Sequence, residues 1–224
     1  MSYPINYPTP QGANVQMFSQ GGSSSDWVKP QGASFVWFTL IGPGGRGSDV
    51  GGQISGGSGA VTNFMCPAFL IPDILRVNVG REQTNASSIV YQQKDGTGYT
   101  LLTADFGKSG FNASGLGGSA MTANAFTAMG FFQSVAGQDG VAIGSGQGPS
   151  ATTFLSSGSG SGSNNANYGY LIPNNNNGGF MLQPMIVGIG GSGSSSNGRG
   201  GIGCGGNASA VSVAGNGLVV IITW

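Results

Sequence analysis

Apolar residues in this chain gather in short dense runs and do not recur at helical spacing. Phe35-Val36-Trp37-Phe38-Thr39-Leu40-Ile41 and Leu218-Val219-Val220-Ile221-Ile222-Thr223-Trp224 are β-branched and aromatic without alternation. That pattern predicts strands buried on both faces, the first running from Ser34 to Ile41. Leu75, Val77 and Val79 alternate with polar residues, which predicts a half-exposed strand. Val61–Met65, Ser87–Gln92 and Tyr99–Thr103 predict further strands, the last two joined through the turn signal Asp95-Gly96. Asp26 to Gly32 reads as a short strand and turn, and Ala68 to Asp73 as a turn. Helix signals are scarce: only the alanine-rich stretch Ala120 to Phe132 tolerates one, and a short one at most.

Between these runs lie clusters of glycine, 45 in a chain of 224 residues. Glycine loses more backbone freedom on folding than any other residue, so this density in an ordered protein needs a use that only a missing side chain supplies. Close approach of backbone to backbone is that use. The predicted scaffold positions are Gly42, Gly44, Gly45, Gly47, Gly56, Gly57, Gly59, Gly115, Gly118, Gly190, Gly193, Gly200, Gly203 and Gly206. Several stand three apart, as Gly56 and Gly59 do, which places them on one edge of a polyproline-II-type helix with three residues per turn. Such a helix makes no internal hydrogen bonds and must exchange them with neighbours when buried. Collagen would need an unbroken Gly-X-Y repeat rich in proline, and the ten prolines here stand mostly outside the clusters. Gly107-Lys108-Ser109 has the Lys-Ser pair of a phosphate loop without its leading glycine. The predicted fold is therefore mainly β: a glycine-rich, β-sandwich-like domain with polyglycine-II-type segments and little or no helix.

Charge narrows the function. Seven basic and seven acidic residues cancel, no Lys/Arg cluster exists, and nucleic acid is a poor partner. An apolar share of 38% disfavours disorder. Without histidine the usual general base is missing. The acids Asp26, Asp49, Asp73, Glu82, Asp95, Asp105 and Asp139 share no short motif, so no catalytic residue is assigned and an enzyme is not expected. Carboxylates distant in sequence can still meet in space, as in glycosidases, which leaves a depolymerase as a minor reading. Cys66 and Cys204 lack neighbouring ligands, so no metal or cofactor is expected, and two buried free thiols are favoured over a disulfide. The first residues show neither the basic nor the apolar region of a signal peptide, which suggests a chain made in a cytoplasm.

The expected organisation is an N-terminal leader or docking arm over residues 1–25 and a glycine-rich β domain over 26–224, with a variable middle over 120–187. From Gly140 through Gly198 there is no charged residue. Two clusters there, Asn164, Asn165, Asn167, Tyr168 and Tyr170, and Asn174, Asn175, Asn176, Asn177 and Phe180, together with Phe154, are candidate contacts. Amides hydrogen-bond sugar hydroxyls, and aromatic rings cover flat apolar faces at low entropy cost. Asparagine runs also make ordinary turns. Phe126, Phe131 and Phe132 are read as core.

Asp26-Trp27-Val28-Lys29-Pro30, the strand ending Leu40-Ile41-Gly42-Pro43-Gly44-Gly45, then Gly56-Gly57-Ser58-Gly59-Ala60, Leu75-Arg76-Val77-Asn78-Val79-Gly80 and the closing Gly215-Asn216-Gly217-Leu218-Val219-Val220-Ile221-Ile222-Thr223-Trp224 follow one another in order. This order resembles the glycine-rich domain of bacteriophage tail fibres and related virion proteins, over roughly residues 26–80 and 188–224. The resemblance implies stacked polyglycine-II helices as scaffold, with the intervening segments as candidate contacts for a host surface glycan or outer-membrane protein. It implies a virion location, other virion proteins as partners through the leader or sheet edges, and an oligomer or larger assembly. A capsid or tail subunit without receptor binding, or a secreted filament or surface protein, are the alternatives.

Overall fold

The computed structural model describes residues 13–48, 54–110, 115–140, 202–206 and 214–224, with the backbone of 181–182 and 185–186. The strands are β1 (Asn14–Phe18), β2 (Ser24–Val28), β3 (Phe35–Ile41), β4 (Val61–Pro67), β5 (Ile74–Asn78), β6 (Ser87–Gln92), β7 (Gly98–Ala104), β8 (Phe131–Val135), β9 (Met181–Leu182), β10 (Met185–Ile186) and β11 (Leu218–Thr223). They form a five-stranded sheet ordered β1-β11-β3-β4-β8, a four-stranded sheet ordered β2-β5-β6-β7, and the small β9–β10 pair. Every pairing among the described strands is antiparallel.

The two larger sheets face each other across one hydrophobic core. Val36, Phe38 and Leu40 of β3, Phe64 and Cys66 of β4, and Val219 and Ile221 of β11 meet Trp27 of β2, Leu75 and Val77 of β5, Ile89 of β6 and Leu102 of β7. Trp27 is buried edge-on against Phe38, ring centroids 5.8 Å apart. The run of consecutive buried residues at the end of β3 has a second cause: Ile41, Val61, Leu218 and Val220 form a smaller cluster on the other face, joined by Ile202. The alternation expected along residues 74–80 is present, with Leu75 and Val77 inside and Arg76 and Asn78 outward. Among the described residues helix is confined to two three-residue 3-10 turns, Ala68–Leu70 and Thr127–Met129. Asn124 and Thr127 hold the second by reciprocal bonds between side chain and backbone, at 2.8 and 2.9 Å.

Two segments differ in detail from the expectation. The span taken as leader contributes β1, which pairs with β11, and the first residues of β2; residues 1–12 lie outside the described residues. The alanine-rich stretch gives way to β8, where Phe132 and the neighbouring Phe126 pack on the core while Phe131 points outward, 63% exposed. Pleat parity decides this, because consecutive strand residues face opposite sides.

Beyond one end of the sandwich the strands run on into glycine segments. Residues 42–48 continue β3 and 54–60 lead into β4 in the register those strands already have, yet the bonds Gly42 N to Ala60 O, Gly45 N to Gly57 O and Ser48 N to Ile54 O recur every third residue. The segment 54–60 shows the consequence. Gly56 and Gly59 donate to Gly206 and Gly203, Gly57 and Ala60 donate to Lys108 and Asp105, and Ser58 donates to Gln138. Its bonds therefore leave in three directions in rotation, the period of a helix with three residues per turn. Packed sheets stand roughly 10 Å apart because side chains separate them. Where the side chains are gone, the continuation of β7 reaches the continuation of β3 directly, through Gly107 N to Pro43 O and Gly110 N to Arg46 O, both 2.9 Å. Buried hydroxyls tie the layers at the same end: Ser87 Oγ donates to Ile41 O and Thr62 Oγ1 to Thr103 O, each at 2.7 Å.

Candidate functional surfaces

The predicted contact residues Phe154, Asn164, Asn165, Asn167, Tyr168, Tyr170, Asn174, Asn175, Asn176, Asn177 and Phe180 lie outside the described residues, as do the predicted scaffold positions Gly190, Gly193 and Gly200. Of the scaffold glycines among the described residues, all but Gly47 make close backbone contacts or backbone hydrogen bonds. A Cβ on Gly42 would overlap the Asp105 carbonyl, on Gly44 that of Cys204, on Gly45 that of Lys108, on Gly56 that of Gly45, on Gly57 that of Leu116 and on Gly59 that of Gly42. Gly115 adds a left-handed backbone, φ +61°, beneath the Ser55 carbonyl. Gly118 and Gly206 donate to Ser58 and Gly45, and Gly203 both donates to Asn216 and accepts from Gly59.

The described carboxylates are committed to local partners. Asp26 pairs with Arg76 at 3.2 Å, Asp73 with Lys29 at 2.9 Å, Glu82 with Arg46 at 2.6 Å and Asp105 with Lys108 at 3.3 Å. Asp139 accepts from Gly117 N at 2.7 Å. Asp95 accepts from Thr97 N in the β6–β7 turn, and that bond holds its carboxyl below the usual carboxylate range. Among the described residues no group of three or more Cys, Asp or Glu side chains could hold a metal ion. Both cysteines are buried thiols outside any disulfide, Cys204 Sγ donating to Ile202 O at 3.6 Å, and burial pushes the Cys66 thiol up to about 11.

The outward faces of the two sheets carry central rows of different chemistry. Cross-strand register on the five-stranded sheet aligns Val15, Ile222, Trp37, Met65 and Phe131 in one row across all five strands. Phe35 and Trp224 stack beside it with centroids 5.9 Å apart. Met17 is 58% exposed and Val15 47%. An antiparallel sheet that faces water on one side carries polar residues there, so this apolar row is the pattern of a surface that another surface covers.

The four-stranded sheet carries a polar row, with the exposed pair Val28 and Ile74 at one end of the same face. Register aligns Ser24, Asn78, Ser88 and Thr103 across its four strands, with Asn78 Nδ2 donating to Ser88 Oγ at 3.0 Å. A depression of about 460 Å³ lies over this row, and one of about 560 Å³ lies further along the sheet, beside Asp26, Ile74, Arg76, Gln92 and Gln93. Sequence reasoning did not find this surface. The residues are common ones, and only strand pairing brings Ser24 beside Asn78, 54 positions further along the chain.

No protein-family model matches this chain, and no curated protein matches it.

Proposed function

We propose that this chain is a bacteriophage virion structural protein of a fibre or spike, contributing to host-cell attachment through its Asn- and aromatic-rich segments. The observation that carries the reading is the glycine framework around residues 54–60, whose hydrogen bonds leave in three directions. A protein that must hold its shape while carrying neutral, variable segments gains from such a framework. Its rigidity comes from backbone bonds and leaves the intervening sequence free to change. The order of segments from Asp26 to Gly80 and from Gly188 to Trp224, which resembles tail-fibre glycine-rich domains, supports the same reading.

Deleting residues 164–177 from the phage-encoded protein tests it. Intact particles that no longer adsorb to the host support attachment, and particles from which this chain is absent altogether overturn the virion assignment. A second reading, a capsid or tail subunit without receptor binding, is favoured by the apolar row from Val15 to Phe131, which suits contact with another virion protein or another copy of the chain. In that case the deletion leaves adsorption of assembled particles intact, and charge placed at Trp37 and Met65 prevents assembly.

A further inference from the structure

We infer that the outer face of the β2-β5-β6-β7 sheet is a binding trough for a neutral oligosaccharide, seated on the row Ser24, Asn78, Ser88 and Thr103. The depression over that row is lined only by uncharged residues, with Asn85 and Thr100 on its sides. Hydroxyls and side-chain amides each donate and accept, as sugar hydroxyls do, so such a lining can satisfy a saccharide in either sense. No cation is among the residues that line this depression, and the nearest, Arg81, stands at its rim against Gly22. An apolar ligand would strip water from these groups without replacing its hydrogen bonds.

The trough is also built to hold its shape. Its wall at Asn85 and Ala86 belongs to the turn 81–86, in which Gln83 takes a left-handed backbone, φ 57°, the only non-glycine residue to do so among the described ones. Strained backbone of this kind persists where surrounding contacts over-determine it. Glu82 supplies them: it is buried and bound to Arg46, which belongs to the glycine segment 42–48. The framework thus clamps one wall of the trough, and a preformed site avoids the ordering cost of binding. The neighbouring depression continues along the same face at Asp26 and Arg76, whose ion pair adds hydrogen-bonding groups of both signs, with Gln92 and Gln93 beside it.

This surface is separate from the Asn-rich segments, and the inference does not depend on a virion location. Amide NMR titration tests it, with tetrasaccharides of glucose, galactose, mannose and N-acetylglucosamine as probes and sulfated counterparts as controls. At least one neutral probe is expected to shift the amides of Asn78, Asn85, Ser88 and Thr103 at about 10 mM or below. Asn78→Ala removes an amide and Thr100→Trp fills the trough from an exposed edge-strand position. Each is expected to weaken that binding at least about tenfold, with the spectrum of the core unchanged. No response to any neutral probe, equal binding by both variants, or tighter binding of the sulfated probes overturns the inference. Failure of the fibre reading would appear instead as absence of the chain from particles, with saccharide binding intact.

Discussion

At Gly57 the structure leaves no room for a methyl group, because the Leu116 carbonyl occupies the place of a Cβ. Gly32 is the contrast: its backbone is left-handed, φ +80°, but nothing stands within 4 Å of a Cβ built there. Gly57→Ala is expected to lower stability by about 3 kcal/mol, since rigid backbone must shift. Gly32→Ala should cost about 1 to 2 kcal/mol, for conformation alone. Urea unfolding of both variants checks the order, and equal losses would count against backbone contact as the role of Gly57. Cys66 titrates in a defined direction. Its folded thiol ionises near 11 against an ordinary 9.0, so the contribution of the neutral thiol is fully present below pH 9 and is lost as pH rises toward 11. Stability measured against pH should fall over that window, and Cys66→Ser or Cys66→Ala should flatten the fall.

Elements join here by continuing registers. β3 and β4 pass into 42–48 and 54–60 without a slip, and β4 and β8 likewise place Ser58 opposite Gln138. What changes is the bond period, from the two of a pleated strand to three. β1 shows how an edge element contributes. Its Phe18 packs on the main core while Val15 and Met17 face outward beside β11. A chain starting at Ser19 is expected to lose about 2 kcal/mol, the burial of one Phe side chain, and to leave the β11 edge unpaired. Thermal melting and light scattering would register a lower midpoint and self-association. An unchanged midpoint in a monodisperse sample would contradict that role for β1.

For the whole molecule, the framework replaces side-chain packing as the means of joining two layers at one end. If that account holds, amides of Gly56, Gly57, Ser58, Gly59 and Ala60 exchange only with global unfolding, although few apolar side chains surround them. Hydrogen exchange by NMR checks this, and rates within about tenfold of a free peptide would dissolve the framework and the proposal that rests on it. The molecule also carries an apolar row on the outer face of one sheet and a hydroxyl- and amide-bearing row on the outer face of the other, so the proposed trough lies on a different sheet from the apolar row.

Strand identity and the purpose of the glycines were legible in the sequence because both are local properties. Unbroken apolar runs at 35–41 and 218–224 and alternation at Leu75, Val77 and Val79 specify strands wherever the chain goes, and a missing side chain permits close approach whatever approaches. Partner choice is not local. Which carbonyl meets Gly57, why Lys108 and Asp105 accept bonds alongside glycines, and how Ser24, Asn78, Ser88 and Thr103 come to share one row follow from register between segments far apart in the chain. Register is set by fitting the whole core at once. The sequence by itself therefore determined a β protein whose glycines serve as bare backbone, and the tertiary structure alone decided which surfaces that backbone presents.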